Sequence, residues 1–363
     1  MPLRSKLFTP IQVGRLSLKH RVVLAPVTRM RVRAAHIPAE IAAEYYAQRA
    51  SVPGTLLITE TTLIAPQVGG ATFVAGIWSD AQIEAWKSIV AAVHAKCSYI
   101  FLQLGALGRI ADPKVLESEG PYPFVSASNV KLDDGTISPR SLTISEIREY
   151  VQMYATAAYT AVHRAGFDGV EIQGANGHLV DQFLQNVSNQ RPDEYGGSTE
   201  NRSRFALEIV DAVVEKVGAE RTGIRFSPWG RIYSMGMKNP IPQFSYIVSE
   251  LARRYPSLAY VHLVEPRVYS CDDNKIPPGV SNDFIRTIWS PRPLISAGGY
   301  LRENALDTAE KKGDLIAFGR SFISNPDLPI RLMKNIPLTK GDRITYYTQD
   351  TVGYTDYPSA AED

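Results

Sequence analysis

Apolar and polar positions along this chain alternate between two patterns. Short apolar runs, most of them continuous, fall at Arg21–Pro26, Thr55–Thr59, Ser98–Leu102, Gly169–Ile172, Gly223–Phe226, Ala259–Leu263, Pro293–Ser296 and Leu315–Phe318. Runs of this kind read as strands buried on both faces of a parallel sheet. Between them, apolar residues return on one face at helical spacing, as in Ile83, Trp86, Val90 and Val93, in Ile147, Val151, Tyr154 and Ala158, and in Phe205, Ile209 and Val213. Ser79-Asp80, Thr143 with Glu146, and Ser281 ahead of Phe284 and Ile285 carry helix-start signals, and Gly313 a stop. Strand and helix alternating eight times predict an α/β fold of the (β/α)8 TIM-barrel type. A doubly wound open sheet competes, but no G-x-G-x-x-G follows the first run and no Walker loop is present.

Two stretches exceed the repeat. Gly105 to Leu142 follows the third strand and contains Gly120-Pro121 and the segment SASNVKLDDGTI, which reads as a hairpin turning at Asp134-Gly135. Glu265 to Val280 follows the sixth strand. Barrels carry their active sites at strand C-termini, so both are expected to cover a ligand. The expectation is one domain over 1–363, with 105–142 as a capping subdomain.

Composition narrows the function. The 363 residues include 39 Lys plus Arg and 37 Asp plus Glu, a net charge of +2, without the basic excess that neutralises a phosphate backbone. A nucleic-acid partner is therefore not expected. With 44% hydrophobic and 21% charged residues, a soluble globule with a large core is. Two cysteines, Cys97 and Cys271, fit a reducing compartment, and no signal peptide or membrane span is visible, so a cytoplasmic protein is expected. The six histidines are too scattered for a metal cage, and no G-x-S-x-G elbow or reactive-cysteine signature occurs.

The strand ends supply candidate chemistry. Thr28, Glu60 and Thr61, Gln103, Gln173 and Asn176, Arg225 and Glu265 follow the first six strands, and Gly298-Gly299 and Gly319-Arg320 follow the last two. Small residues after the last two strands let backbone N–H groups approach a phosphate, and the adjacent arginine suits the same anion.

The stretches LAPVTRMR (24–31), LLITETT (56–62), WSDAQIEAWKSIVAAVHAK (78–96), QLGALGR (103–109), NQRPDEYGGSTENRSRF (189–205), IRFSPWG (224–230), FGRSFISNPDLP (318–329) and GYTDYP (353–358) resemble the old yellow enzyme family. The resemblance spans nearly the whole chain. It implies a barrel that binds FMN non-covalently, is reduced by NADPH, and reduces the C=C bond of α,β-unsaturated carbonyl compounds. Matched by position, it also implies that Thr28 bonds the flavin O4 and Gln103 the pyrimidine edge, and that Arg225 lies near N1 and O2. Pro26 and Val27 then give backbone contacts, and Gly298, Gly299, Gly319 and Arg320 bind the phosphate. Thr61 stands where relatives usually have Gly or Ala.

The substrate side departs from the family pattern. Where relatives have H-x-x-N or H-x-x-H, this chain has Gln173-Gly174-Ala175-Asn176, and His178 replaces the proton-donating tyrosine. A neutral amide stabilises developing charge less than a group that can become cationic. An imidazole of ordinary pKa, ~6.5, is a competent acid near neutral pH. Gly105 replaces a common tryptophan, predicting a larger pocket and a bulky, largely apolar substrate. Tyr347, in ITYYTQDTVGY, matches a C-terminal pocket tyrosine and is a second candidate donor, whereas Tyr346 reads as structural. Three readings result: an ene-reductase with a Gln173/Asn176 clamp; an FMN-bound isomerase, desaturase or cyclase of specialised metabolism; and a non-catalytic flavin-binding barrel. A monomer or homodimer is expected.

Overall fold

The computed structural model describes residues 5–269, 272–273 and 279–360. Among these, eight parallel strands close into a barrel. They are β1 (Val22–Leu24), β2 (Leu56–Leu63), β3 (Tyr99–Gly105), β4 (Gly169–Gly174), β5 (Thr222–Phe226), β6 (Tyr260–Val264), β7 (Leu294–Ala297) and β8 (Leu315–Phe318). β8 pairs with β1 to complete the ring. Each coincides with one of the apolar runs, because a strand covered inside by side chains and outside by helices has no polar face.

The principal helices after successive strands are α1 (Ile41–Arg49), α2 (Asp80–His94), α3 (Ile144–Tyr159), α4 (Thr199–Val217), α5 (Ile241–Arg254), α6 (Asp283–Trp289), α7 (Arg302–Lys312) and α8 (Leu328–Lys334). Ser79 and Thr143 close full capping boxes with Gln82 and Glu146. Gly313 ends α7 in the left-handed region. Before α6, Ser281 accepts from the Asp283 N–H, while Asn282 occupies the cap position.

Inside the barrel, Val23, Ala25, Leu56, Ile58, Phe101, Tyr260, Ile295, Ala297, Leu315 and Ala317 form an apolar plug. Val13, Leu16 and Leu18 join it from an N-terminal hairpin, Ile11–Val13 against Leu16–Leu18. That hairpin seals the end remote from the strand C-termini, leaving the opposite end for chemistry.

The stretch after β3 holds a helix (Pro113–Glu119) and two short strands, Val125–Ser126 and Arg140–Ser141. These pair in parallel, so the expected hairpin is absent. A hydrogen bond from Gly135 N–H to Leu132 O forms a local turn there without reversing a strand pair. After β6, Val268–Tyr269 pairs antiparallel with Asp272–Asp273. The rest of the expected second cover, residues 270–271 and 274–278, lies outside the described residues.

Candidate functional site

Strand register gathers the polar residues at the C-terminal end of the barrel. Gln103 pairs with Glu171, Gln173 with Arg225, and Arg225 with His262 across β3, β4, β5 and β6. On β2 the register shifts between Ile58 and Thr61, so that Thr61 pairs with Gln103. Such a bulge turns the following side chain to the other face. It brings Thr61 in beside Gln103. Glu60 is diverted, and accepts from the Arg29 N–H at 3.3 Å while its own N–H donates to the Tyr46 hydroxyl. Burial holds the Glu60 carboxyl up at about 7. Glu60 therefore leaves the mouth, contrary to its place among the strand-end candidates.

A hydrogen-bonded chain results. Thr61 Oγ1 lies 2.5 Å from Gln103 Oε1, Gln103 Nε2 donates to Glu171 Oε1 at 2.7 Å, and Glu171 Oε2 meets His262 Nδ1 at 2.8 Å. Burial would raise the Glu171 pKa, but His262, Arg225 and Gln103 outweigh it and carry the group below the usual carboxylate range. Burial lowers the His262 imidazole, with Arg225 adding to the effect, and lowers Arg225 against the opposing pull of Glu171. The outcome is a buried guanidinium offset by a buried carboxylate, with the His262 imidazole hydrogen-bonded to that carboxylate. Gln173 Oε1, Arg225 Nε and His262 Nε2 are buried without hydrogen-bond partners in the protein. Unsatisfied buried polar atoms are uncommon, and a cluster of them on adjacent strands marks a place for a ligand.

The loop after β4 is held from behind. The Asn176 N–H donates to Ser227 Oγ at 2.8 Å, and the Gly177 N–H to Asp181 Oδ2 at 2.9 Å. Asn176 and Gly177 both take positive φ, 55° and 77°. Asp181 is fully buried, which raises its carboxyl to about 7. His178 caps the next short helix, Leu179–Leu184, and its Nδ1 is buried without a partner. The expectation of an ordinary imidazole fails there: burial pushes its pKa down to about 4, with Arg225 contributing. At neutral pH the ring is neutral, an N–H donor rather than an acid.

Gly105 lies against Thr61. A Cβ at position 105 would overlap the Thr61 Cγ2 and come within 3.8 Å of the His178 ring. The room expected from losing an indole is thus partly refilled by the Thr61 methyl.

Thr28, Pro26 and Val27 follow β1 and are partly exposed. Gly298 and Gly299 take positive φ of 111° and 61° after β7. A Cβ on Gly319 would stand 3.2 Å from Val27 Cγ2, so the glycine lets the β1 and β8 ends approach. Arg320 begins the next short helix and is exposed. Arg267, missed in the sequence, donates to Gly298 O at 2.5 Å, stacks on Tyr300 at 3.9 Å, and leaves Nη2 buried without a partner. Glu265 is bound instead to Arg286 at 2.5 Å, within a cluster that includes Asp314 and Ser296.

Tyr347 belongs to a C-terminal segment pinned over the β1 end. Arg29 donates to Tyr346 O and Gly353 O, and Arg31 to the carbonyls of Thr345, Tyr346, Asp350 and Val352. Two of the motif stretches at opposite chain ends are therefore one structural unit. Tyr346, read from the sequence as structural, is buried, while Tyr347 is half exposed.

A polar, charge-balanced mouth on a (β/α)8 barrel, with flexible glycines at the last two strand ends, is the form of a phosphate-bearing cofactor site. The profile of the NADH:flavin oxidoreductase / NADH oxidase family matches residues 6–339. The chain is 49% identical over 363 residues to the chanoclavine-I aldehyde reductase fgaOx3 of Penicillium roqueforti, covering 99% of this chain and 97% of that protein. It is 45% identical over 368 residues to a probable inactive reductase, easA, of Epichloe festucae var. lolii, covering 99% and 96%. The old yellow enzyme of Pichia sp. AKU4542 superposes with a TM-score of 0.90 at 38% identity, covering 99% of this chain and 95% of the other. The protein belongs to the old yellow enzyme family of NADH:flavin oxidoreductases. It is an NAD(P)H-dependent flavin oxidoreductase.

Proposed function

We propose that this enzyme binds FMN, takes reducing equivalents from NADPH, and reduces the C=C bond of a bulky, largely apolar α,β-unsaturated carbonyl compound of specialised metabolism. The observation that carries the reading is the row of unpartnered polar atoms Gln173 Oε1, Arg225 Nε and His262 Nε2 at the barrel mouth. The residues present fit FMN: the buried cation of Arg225 suits the pyrimidine edge, and the positive-φ glycines admit a phosphate. Thr28 would bond the flavin O4, Gln103 the pyrimidine edge, and Arg225 the N1–O2 side. Pro26, Val27 and Thr61 would line the ring, and Gly298, Gly299, Gly319 and Arg320 would hold the phosphate. When bound, FMN supplies the hydride.

Gln173 and Asn176 would grip the carbonyl oxygen as neutral donors. His178, neutral at working pH, is better suited to join that grip than to deliver a proton, much as a pKa-lowered imidazole polarises a carbonyl elsewhere. Proton delivery to the α-carbon would then fall to Tyr347. Localisation in the cytoplasm belongs to the same proposal; among the described residues no helix is long and apolar enough to cross a membrane.

The same lowered His178 pKa favours a second reading. With no protonated acid at that position near neutral pH, the bound substrate would be isomerised, desaturated or cyclised without net reduction. Anaerobic spectroscopy tests the proposal. Purified protein should be yellow or turn yellow with FMN, bleach with NADPH, and regain colour with a bulky enal. A colourless protein that ignores FMN rejects both readings, and bleaching without recovery across a panel of enals favours the second.

A further inference from the structure

The Thr61–Gln103–Glu171 chain fixes an orientation that Gln103 alone would not have. An ionised carboxylate only accepts hydrogen bonds, so the Gln103 atom 2.7 Å from Glu171 is its amide nitrogen. Gln103 Oε1 then faces Thr61, whose hydroxyl must donate to it at 2.5 Å. Both ends of the amide are thus committed to the protein, and one Nε2–H stays available. Donation into Oε1 draws electron density from the amide nitrogen and strengthens the remaining N–H as a donor, while the bond to Glu171 fixes the direction in which it points. On the other branch of the same side chain, Thr61 Cγ2 would overlap a Cβ at position 105.

We propose that Thr61 is a positioning residue with two separable actions: its hydroxyl locks Gln103 so that it presents a strengthened N–H to the flavin pyrimidine, and its methyl fills the floor of the substrate pocket over Gly105. The inference rests on FMN binding at this mouth. Reduction places negative charge on the pyrimidine edge, so a stronger donor there favours the reduced flavin. Register explains why position 61 can do this, since the β2 bulge sets Thr61 opposite Gln103 rather than facing outward.

Two substitutions separate the actions. Thr61→Val keeps the methyl and deletes the hydroxyl; Thr61→Ser keeps the hydroxyl and deletes the methyl. The flavin midpoint potential, read by dithionite titration against a reference dye, should fall in Thr61→Val by about threefold in the reduction equilibrium constant, equivalent to ~14 mV for a two-electron couple. Thr61→Ser should keep the wild-type potential while binding bulkier enones more tightly in flavin difference spectra. Circular dichroism checks that both variants fold. Wild-type potential in Thr61→Val, or an equal fall in both variants, overturns the inference while leaving FMN binding standing. Wild-type protein that takes up no FMN overturns the functional proposal and the inference with it.

Discussion

Replacing Glu171 with Gln removes the carboxylate that offsets Arg225, and the consequence follows from burial. Glu171 is fully buried and Arg225 is 7% exposed, with Glu171 the foremost group holding Arg225 charged. Glutamine preserves shape and can still accept from Gln103, so packing changes little. What remains is a buried guanidinium without its counter-charge, and breaking a buried pair on one side costs ~3–5 kcal/mol. An unfolding entropy of ~2.1 cal/mol/K per residue, over 363 residues, turns that cost into a fall in Tm of ~4–7 °C. The assay is calorimetric melting of the apoprotein near neutral pH, repeated for Arg225→Gln and for the double variant. If the two charges are coupled, the double variant should melt above the sum of the single effects. A Glu171→Gln protein melting within about 1 °C of wild type, or strictly additive effects, would refute the charge-balance argument.

Three further outcomes are expected. Gly105→Ala should destabilise by ~1–3 kcal/mol through overpacking against the Thr61 methyl, and adding Thr61→Ala should restore most of the loss; a melt that fails to recover in the double variant contradicts the contact. Gln173→His should raise turnover of simple enones by about fivefold or more, since a bond to a group that can become cationic exceeds a neutral one by ~1 kcal/mol or more; steady-state kcat on small enals checks this, and no gain argues for a pocket shaped to another reaction. His20 is buried, with the Val22 N–H donating to its Nδ1 and its Nε2 bonded to Thr55, and burial lowers its pKa to about 4. The unfolded chain takes up that proton below ~6.5 while the fold resists it. The stability of this group is therefore complete above ~6.5 and is lost as pH falls towards 4, by ~3 kcal/mol. Denaturation curves for His20→Gln should show a correspondingly shallower pH slope over that window, and parallel curves would contradict it.

The barrel was legible because its eight strands are short apolar runs and the helices between them carry caps such as Ser79 and Thr143. Side-chain direction was harder to read. Period-two counting from Ile58 sends Glu60 inward, but the bulge sends Thr61 instead. Glu171 stands two residues before Gln173 on the same face of β4, a spacing that could have found it, and His262 was set aside as one of several scattered histidines. Only the closed ring joins them. The hairpin after β3 failed because Asp134-Gly135 marks a local turn and not the strand pairing around it. The lowered pKa of His178 was invisible for the same reason as the bond between Arg29 and Gly353: burial and long-range contact arise only when distant segments meet.

In the proposed reaction, hydride reaches the β-carbon of an α,β-unsaturated carbonyl compound. NADPH deuterated at both C4 positions, supplied with enzyme and a bulky enal under argon, tests it directly through the position of deuterium in the product by NMR. The product should be a saturated aldehyde with deuterium on the β-carbon and a solvent-derived hydrogen on the α-carbon. Deuterium on the former carbonyl carbon, or a rearranged product carrying none, would contradict it.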